Sequence, residues 1–121
     1  MVKRTGPTNP YLKQLIELLR KKYLELNKPI WKDCAEKLSK PTRKRVEVNL
    51  NKIERYAKNG ETILVPGVVL STGRLTKKII VAAWRFSPKA KEKIEKCGGE
   101  VVSIDELIEK NPKGTGVRLM V

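Results

Sequence analysis

The chain has 121 residues, 40% of them hydrophobic, with 27 Lys and Arg against 13 Asp and Glu, a formal net charge of +14, two Cys and no His. That length and apolar content fit one domain with a modest core, and the charge excess attracts polyanions. The lack of histidine excludes the usual general base near neutral pH and Ser-His-Asp or Cys-His catalysis, and with Cys34 and Cys97 far apart it leaves no ordinary zinc ligand set, so neither metal nor cofactor is expected.

Residues 1–8 read as an extended basic arm carrying Lys3 and Arg4. Asn9 followed by Pro10 is a helix start, a capping side chain and then proline at the first helical position. Leu12, Leu15, Ile16, Leu19 and Tyr23 recur at helical spacing, and the helix is expected to stop near Asn27, ahead of Pro29. A second helix fits residues 30–39, with Ile30, Cys34, Ala35 and Leu38 on one face, and ends before Pro41. Next comes KPTRKR at 40–45, four of its six residues basic, expected as a surface loop that aims Arg43, Lys44 and Arg45 at phosphates.

Residues 1–45 carry a net +9 and residues 46–121 a net +5. The chain thus divides into a basic arm with two helices and a basic loop at 1–45, and a compact α/β domain at 46–121, one structural unit overall. In the second part Val46, Val48 and Leu50 alternate with polar residues as a short strand at most, and Asn49 or Asn51 is placed to cap a helix to about Lys58, with Ile53, Tyr56 and Ala57 inward. Thr62 to Val65 and Val68 to Leu70 read as two β runs joined by a tight turn at Pro66-Gly67, and Lys78 to Trp84 as a third. Ser87-Pro88 starts another helix, which buries Ala90, Ile94 and Cys97 and ends at Gly98-Gly99. Val101 and Val102 form a brief strand, Ser103 to Glu106 a capping box for a helix that closes before Pro112, and Val117 to Met120 a last strand. Short strands alternating with helices of about 10 residues indicate an α/β domain with at least part of its sheet parallel.

Residues 65–78, VPGVVLSTGRLTKK, pose the question of a phosphate-binding loop. Gly67 and Gly73 have five residues between them rather than the four of GxxxxGK[ST], Arg74-Leu75 stands in place of Lys-Ser or Lys-Thr, and a β-rich KKIIVAA follows instead of a helix. No GxGxxG is present either. Neither a nucleotide enzyme nor a small-molecule substrate is expected; the stretch reads as structural, presenting Arg74, Lys77 and Lys78 from a sheet edge.

Five separated motifs stand in order: TNPYL, IWKDCAEKLSKPTRKRVEVNLNKIERYA, the VPGVVL turn, the stretch VAAWRFSPKAKEKI, and NPKGTGVR. Together they closely resemble the family of archaeal large-subunit ribosomal protein eighteen-e, relatives of bacterial large-subunit ribosomal protein fifteen, over nearly the whole chain. The resemblance implies a small domain of irregular β-β-α winding behind a helical amino-terminal part, bound to large-subunit ribosomal RNA beside neighbouring ribosomal proteins. The family's PGKVLGSG turn is altered here, with Val68 in place of a lysine and Ser71 in place of a glycine, so any phosphate contact the family makes from that lysine is missing.

The expected role is a structural constituent of the large ribosomal subunit, cytoplasmic, that grips RNA by phosphate and shape contacts and crosses no membrane. Lys3, Arg4, Arg43, Lys44, Arg45, Arg74, Lys77, Lys78, Arg85, Lys113 and Arg118 are the expected phosphate contacts. Among the aromatics, Tyr23 and Tyr56 read as packing on their helix faces. One member of Trp84-Arg85-Phe86 is a candidate to face RNA, with packing at the edge of the core as the alternative. A nucleic-acid binder outside the ribosome shares the same charge signature and is the competing reading.

Overall fold

The computed structural model describes residues 10–39, 46–114 and 116–121, so the expected contacts Lys3, Arg4, Arg43, Lys44 and Arg45 lie outside the described residues. Helix α1 spans Pro10–Leu26 and buries Leu12, Leu15, Ile16 and Leu19. It stops where Asn27 takes a left-handed φ of 54° and donates its N–H to the Tyr23 carbonyl at 2.7 Å, a helix end that asparagine tolerates better than most residues. Helix α2, Pro29–Leu38, again begins on proline. Its fully buried face is Trp31, Cys34, Ala35 and Leu38, with Ile30 only half-buried. Trp31 therefore takes the place given to Ile30 by the sequence reading, and its indole N–H donates to the Pro112 carbonyl at 2.8 Å.

The rest alternates strand and helix: β1 Val46–Asn49, α3 Leu50–Tyr56, β2 Thr62–Leu70, β3 Ile80–Phe86, α4 Pro88–Lys96, β4 Glu100–Ser103, α5 Ile104–Lys110 and β5 Val117–Leu119. Every described strand pairing is parallel, in the order β1-β2-β3-β4 with β5 also beside β2. A parallel sheet is stable only with both faces covered, and the core divides accordingly. Leu64, Ala82 and Val102 point to a layer made by α1, α2 and α5; Ile63, Val65, Val81 and Ala83 point the other way, to α3 and α4. The amino-terminal helices thus share one core with the sheet.

The expected turn at Pro66-Gly67 does not exist. Strand β2 runs straight through, and both residues are buried. One edge of β2 has two partners in succession: β5 pairs with Thr62 to Leu64 and β1 with Gly67 to Leu70. Pro66 falls between them, where no partner needs an N–H and where the register with β3 shifts between Val65 and Val68. Gly67 is required by space, not by a positive φ: a Cβ there would lie 2.0 Å from the Val46 carbonyl oxygen.

Two further expectations need correction. The third strand starts at Ile80, and residues 71–79 form a loop. Tyr56 is 52% exposed, because Leu50, Ile53 and Ala57 define the buried stripe of α3 and Tyr56 lies roughly a quarter turn off it. Both serines cap their helices as read: Ser87 Oγ accepts from the Ala90 N–H at 3.2 Å, and Ser103 Oγ accepts from Glu106 N–H at 3.4 Å while donating to its carboxylate at 3.0 Å. The buried face of α4 is Ala90 and Ile94, with Cys97 only half-buried at its end.

Candidate nucleic-acid interface

The loop that carries Arg74, Lys77 and Lys78 is a crossover connection between parallel strands, built without a helix. It leaves the carboxyl end of β2 tied to two neighbours. Asn51 N–H donates to the Thr72 carbonyl at 3.0 Å, and Lys93 of α4 donates to the carbonyls of Ser71 and Gly73 at 2.9 and 3.0 Å. Gly73 has φ 107° and sits so close to Asn51 that a Cβ would lie 2.2 Å from its side-chain oxygen. The loop then returns along α3, burying Leu75 and Ile79. Thr76 gives its hydroxyl and N–H to the Glu54 carboxylate at 2.6 and 3.2 Å, and Lys78 N–H reaches Asn59 Oδ1 at 2.8 Å near the amino end of the sheet.

This path separates the three cations, which therefore do not project together from a sheet edge. Arg74 is exposed on the stretch after Gly73, whereas Lys78 is exposed at the far end. Lys77 lies half-buried between them and donates to the carbonyls of Glu54 and Ala57 at 2.5 and 2.6 Å. It thereby caps the carboxyl end of α3, where a positive charge also meets the favourable end of the helix dipole. The hydrogen bonds from the Thr76 hydroxyl and N–H, and then the charges of Lys77 and Arg74, hold the Glu54 carboxyl below its usual pKa.

Arg85 is exposed near the carboxyl end of β3, with its guanidinium 5.5 Å from the centre of the Trp84 ring. Two lysines that the sequence reading does not single out, Lys89 and Lys91, are exposed at the start of α4, whose first turn has no acidic residue, and Lys91 borders the same surface depression as Arg85. Lysines at that end oppose the helix dipole; the signal was available as two bases just after a Ser-Pro helix start. At the opposite end of the sheet Lys113 is exposed on the connection into β5, and Arg118 pairs with Glu61 at 3.2 Å. The structure thus distributes the described candidates to both ends of the strands: Arg74 and Arg85 toward the carboxyl ends, Lys78, Lys113 and Arg118 toward the amino ends. Of the two positions altered from the family's PGKVLGSG stretch, Val68 stands half-buried within β2 in register with Glu47 and Arg85, and the Ser71 carbonyl, just past the strand, is one that Lys93 holds.

Among the described residues no group of three or more His, Cys, Asp or Glu is placed to hold a metal ion, and no helix is long and apolar enough to cross a membrane. Cys34 is buried in the core and its thiol pKa is pushed up to about 12 by desolvation. Cys97 is only half-buried, and its Sγ lies 2.8 Å from the Leu75 carbonyl.

The class these features define is a basic three-layer α/β domain with an all-parallel sheet and cations at both strand ends. Residues 2–121 match the model of the family described as ribosomal protein 60S L18 and 50S L18e, and the chain belongs to that family. Among similar proteins, the large ribosomal subunit protein eL18 of Methanopyrus kandleri is 50% identical over 121 residues, covering 96% of this chain and 95% of its own. That of Archaeoglobus fulgidus is 50% identical over 114 residues, covering 94% and 97%, and that of Methanococcus maripaludis 48% identical over 119 residues, covering 98% and 99%. The resemblance drawn from five ordered motifs therefore holds along the chain.

Proposed function

We propose that this protein is a structural constituent of the large ribosomal subunit, in the cytoplasm, where it binds ribosomal RNA beside neighbouring ribosomal proteins. The observation that carries the reading is the family match over residues 2–121. The physical features support it. A net +14 on 121 residues opposes compaction unless polyanion is near. Each phosphate neutralised by a lysine or arginine releases condensed counterions, so affinity falls steeply with salt. A parallel sheet covered on both faces makes a rigid mount that holds cations at fixed spacing, which suits recognition of a folded RNA by its shape.

Arg74 and Arg85 at one end of the strands, and Lys78, Lys113 and Arg118 at the other, are the described residues assigned to phosphates. Lys3, Arg4, Arg43, Lys44 and Arg45 complete the set, with Lys77 contributing its charge from an internal position.

Mass spectrometry of large subunits pelleted through a high-salt wash tests the reading: the chain is expected in the pellet at one copy per subunit. Filter binding of the purified protein at matched salt is expected to favour large-subunit ribosomal RNA over duplex DNA. Equal binding to both, with absence from the washed subunit, would identify a general nucleic-acid binder instead. Replacing Arg43, Lys44 and Arg45 together by Ala is expected to lower the salt slope by up to about three charges' worth, at nearly unchanged melting temperature.

A further inference from the structure

Strands β3 and β4 lie side by side, and the chain leaves their carboxyl ends toward opposite faces of the sheet. After Phe86 it enters α4, whose Ala90 and Ile94 pack on one face; after Ser103 it enters α5, whose Ile104, Leu107 and Ile108 pack on the other. Backbones that diverge in this way open a crevice beyond the strand ends, the place where open parallel sheets take ligands. A cavity of about 290 Å³ occupies it, bordered by Trp84, Arg85, Phe86, Lys91 and Ser103. A second of about 300 Å³ shares Trp84 and Ser103 with it and extends to Tyr11 of α1.

The chemistry of the first cavity fits one kind of ligand. It has two aromatic rings, two exposed cations and no carboxylate. The Arg85 guanidinium over the Trp84 ring pairs a cation with a π surface, and every nucleobase has a face that stacks on such a surface. Lys89 and Lys91 stand at the positive end of α4 with no acidic residue in its first turn, so an anion there relieves a repulsion built into the free protein. The volume lies at the small end of ligand pockets. An apolar peptide would desolvate Arg85 and Lys91 without pairing them; a nucleotide brings its own phosphate.

We propose that this crevice receives a single unstacked nucleotide of an RNA, its base against the Trp84 indole and its phosphate held by Arg85 and Lys91. The proposal rests on the RNA-binding reading and sharpens it, since unpaired, splayed-out bases are what proteins read in folded RNA.

The test uses the full chain with two fluorescently labelled probes at one low salt concentration: hexaadenylate RNA, and an abasic ribose-phosphate chain of the same length. Anisotropy is expected to show hexaadenylate bound about tenfold more tightly, and Trp84→Leu, an apolar replacement without a π face, is expected to erase that preference. Ultraviolet crosslinking of the unaltered protein to hexaadenylate gives a reading that needs no variant: the adduct is expected on residues 79–85. Equal affinity for the two probes, a preference that survives Trp84→Leu, or adducts confined to other segments would overturn the proposal. In those cases a large-subunit ribosomal RNA transcript would still bind; if the transcript failed to bind as well, the RNA-binding reading itself would fall.

Discussion

Gly67→Ala adds one atom at the most crowded point of the sheet. Its Cβ would stand 2.0 Å from the Val46 carbonyl oxygen and 2.8 Å from the Val46 carbonyl carbon. Ordinary carbon–oxygen contacts begin near about 3.3 Å, so β1 has to withdraw from β2 by roughly 1.3 Å. The contact is backbone to backbone, so no side chain can swing away. The ladder at stake pairs Val46 with Gly67, Glu47 with Val68, Val48 with Val69 and Asn49 with Leu70. An overpacked core costs about 1–3 kcal/mol, and each lost ladder hydrogen bond adds about 1 kcal/mol. The expected loss is therefore about 3–5 kcal/mol, or a melting temperature lower by about 10–20 °C for a chain of this length. Urea titration followed by tryptophan fluorescence measures it. Gly60→Ala is the control: Gly60 has φ 84° and nothing within 4 Å of an added Cβ, so it pays only backbone strain, about 1–2 kcal/mol. If Gly67→Ala cost no more than Gly60→Ala, the close approach of β1 would not be what requires glycine there.

Lys77→Met removes two hydrogen bonds to the end of α3 and is expected to cost about 1–2 kcal/mol by urea titration; Arg74→Ala, which gives up only a weak exposed attraction to Glu54, is expected to change stability little and to lower the salt slope of RNA binding by about one. The Glu54 pKa is depressed, so its stabilisation is complete above the ordinary glutamate range and is lost as pH falls through the depressed value. Glu54→Gln should therefore be least stable relative to the parent at neutral pH, and a deficit that stayed constant down to about pH 2 would contradict the assignment. Cys34 is buried with a thiol pKa of about 12, so a thiol reagent at pH 8 is expected to label it only as fast as the protein opens. Labelling of Cys34 at the rate of a free thiol would show that its core is not closed.

Much of this protein is legible in the residues because the causes are local. Two helix starts are set by two to four consecutive residues, at Ser87-Pro88 and Ser103 to Glu106, and the buried stripe of α1 follows from its own spacing; α3 departs from the local pattern, since Asn49 precedes it without a side-chain cap and Asn51 lies inside it. The charge excess and the ordered motifs are likewise properties of the sequence by itself, and they led to the family. Pro66-Gly67 shows where local reasoning stops. In isolation the pair indicates a turn; it lies instead within β2 because β5 and β1, distant in sequence, divide one edge of that strand between them. Closeness in sequence makes the cations of the β2–β3 connection read as one cluster. The crossover carries them to different places and gives Lys77 the carbonyls at the end of α3, 20 and 23 residues earlier in the chain. The crevice at Trp84 likewise arises from the divergence of α4 and α5 to opposite faces. The sequence alone determined which segments fold and what charge they bear; tertiary structure decided which residues share an edge or a crevice, because strand pairing and helix placement depend on partners that no local pattern names.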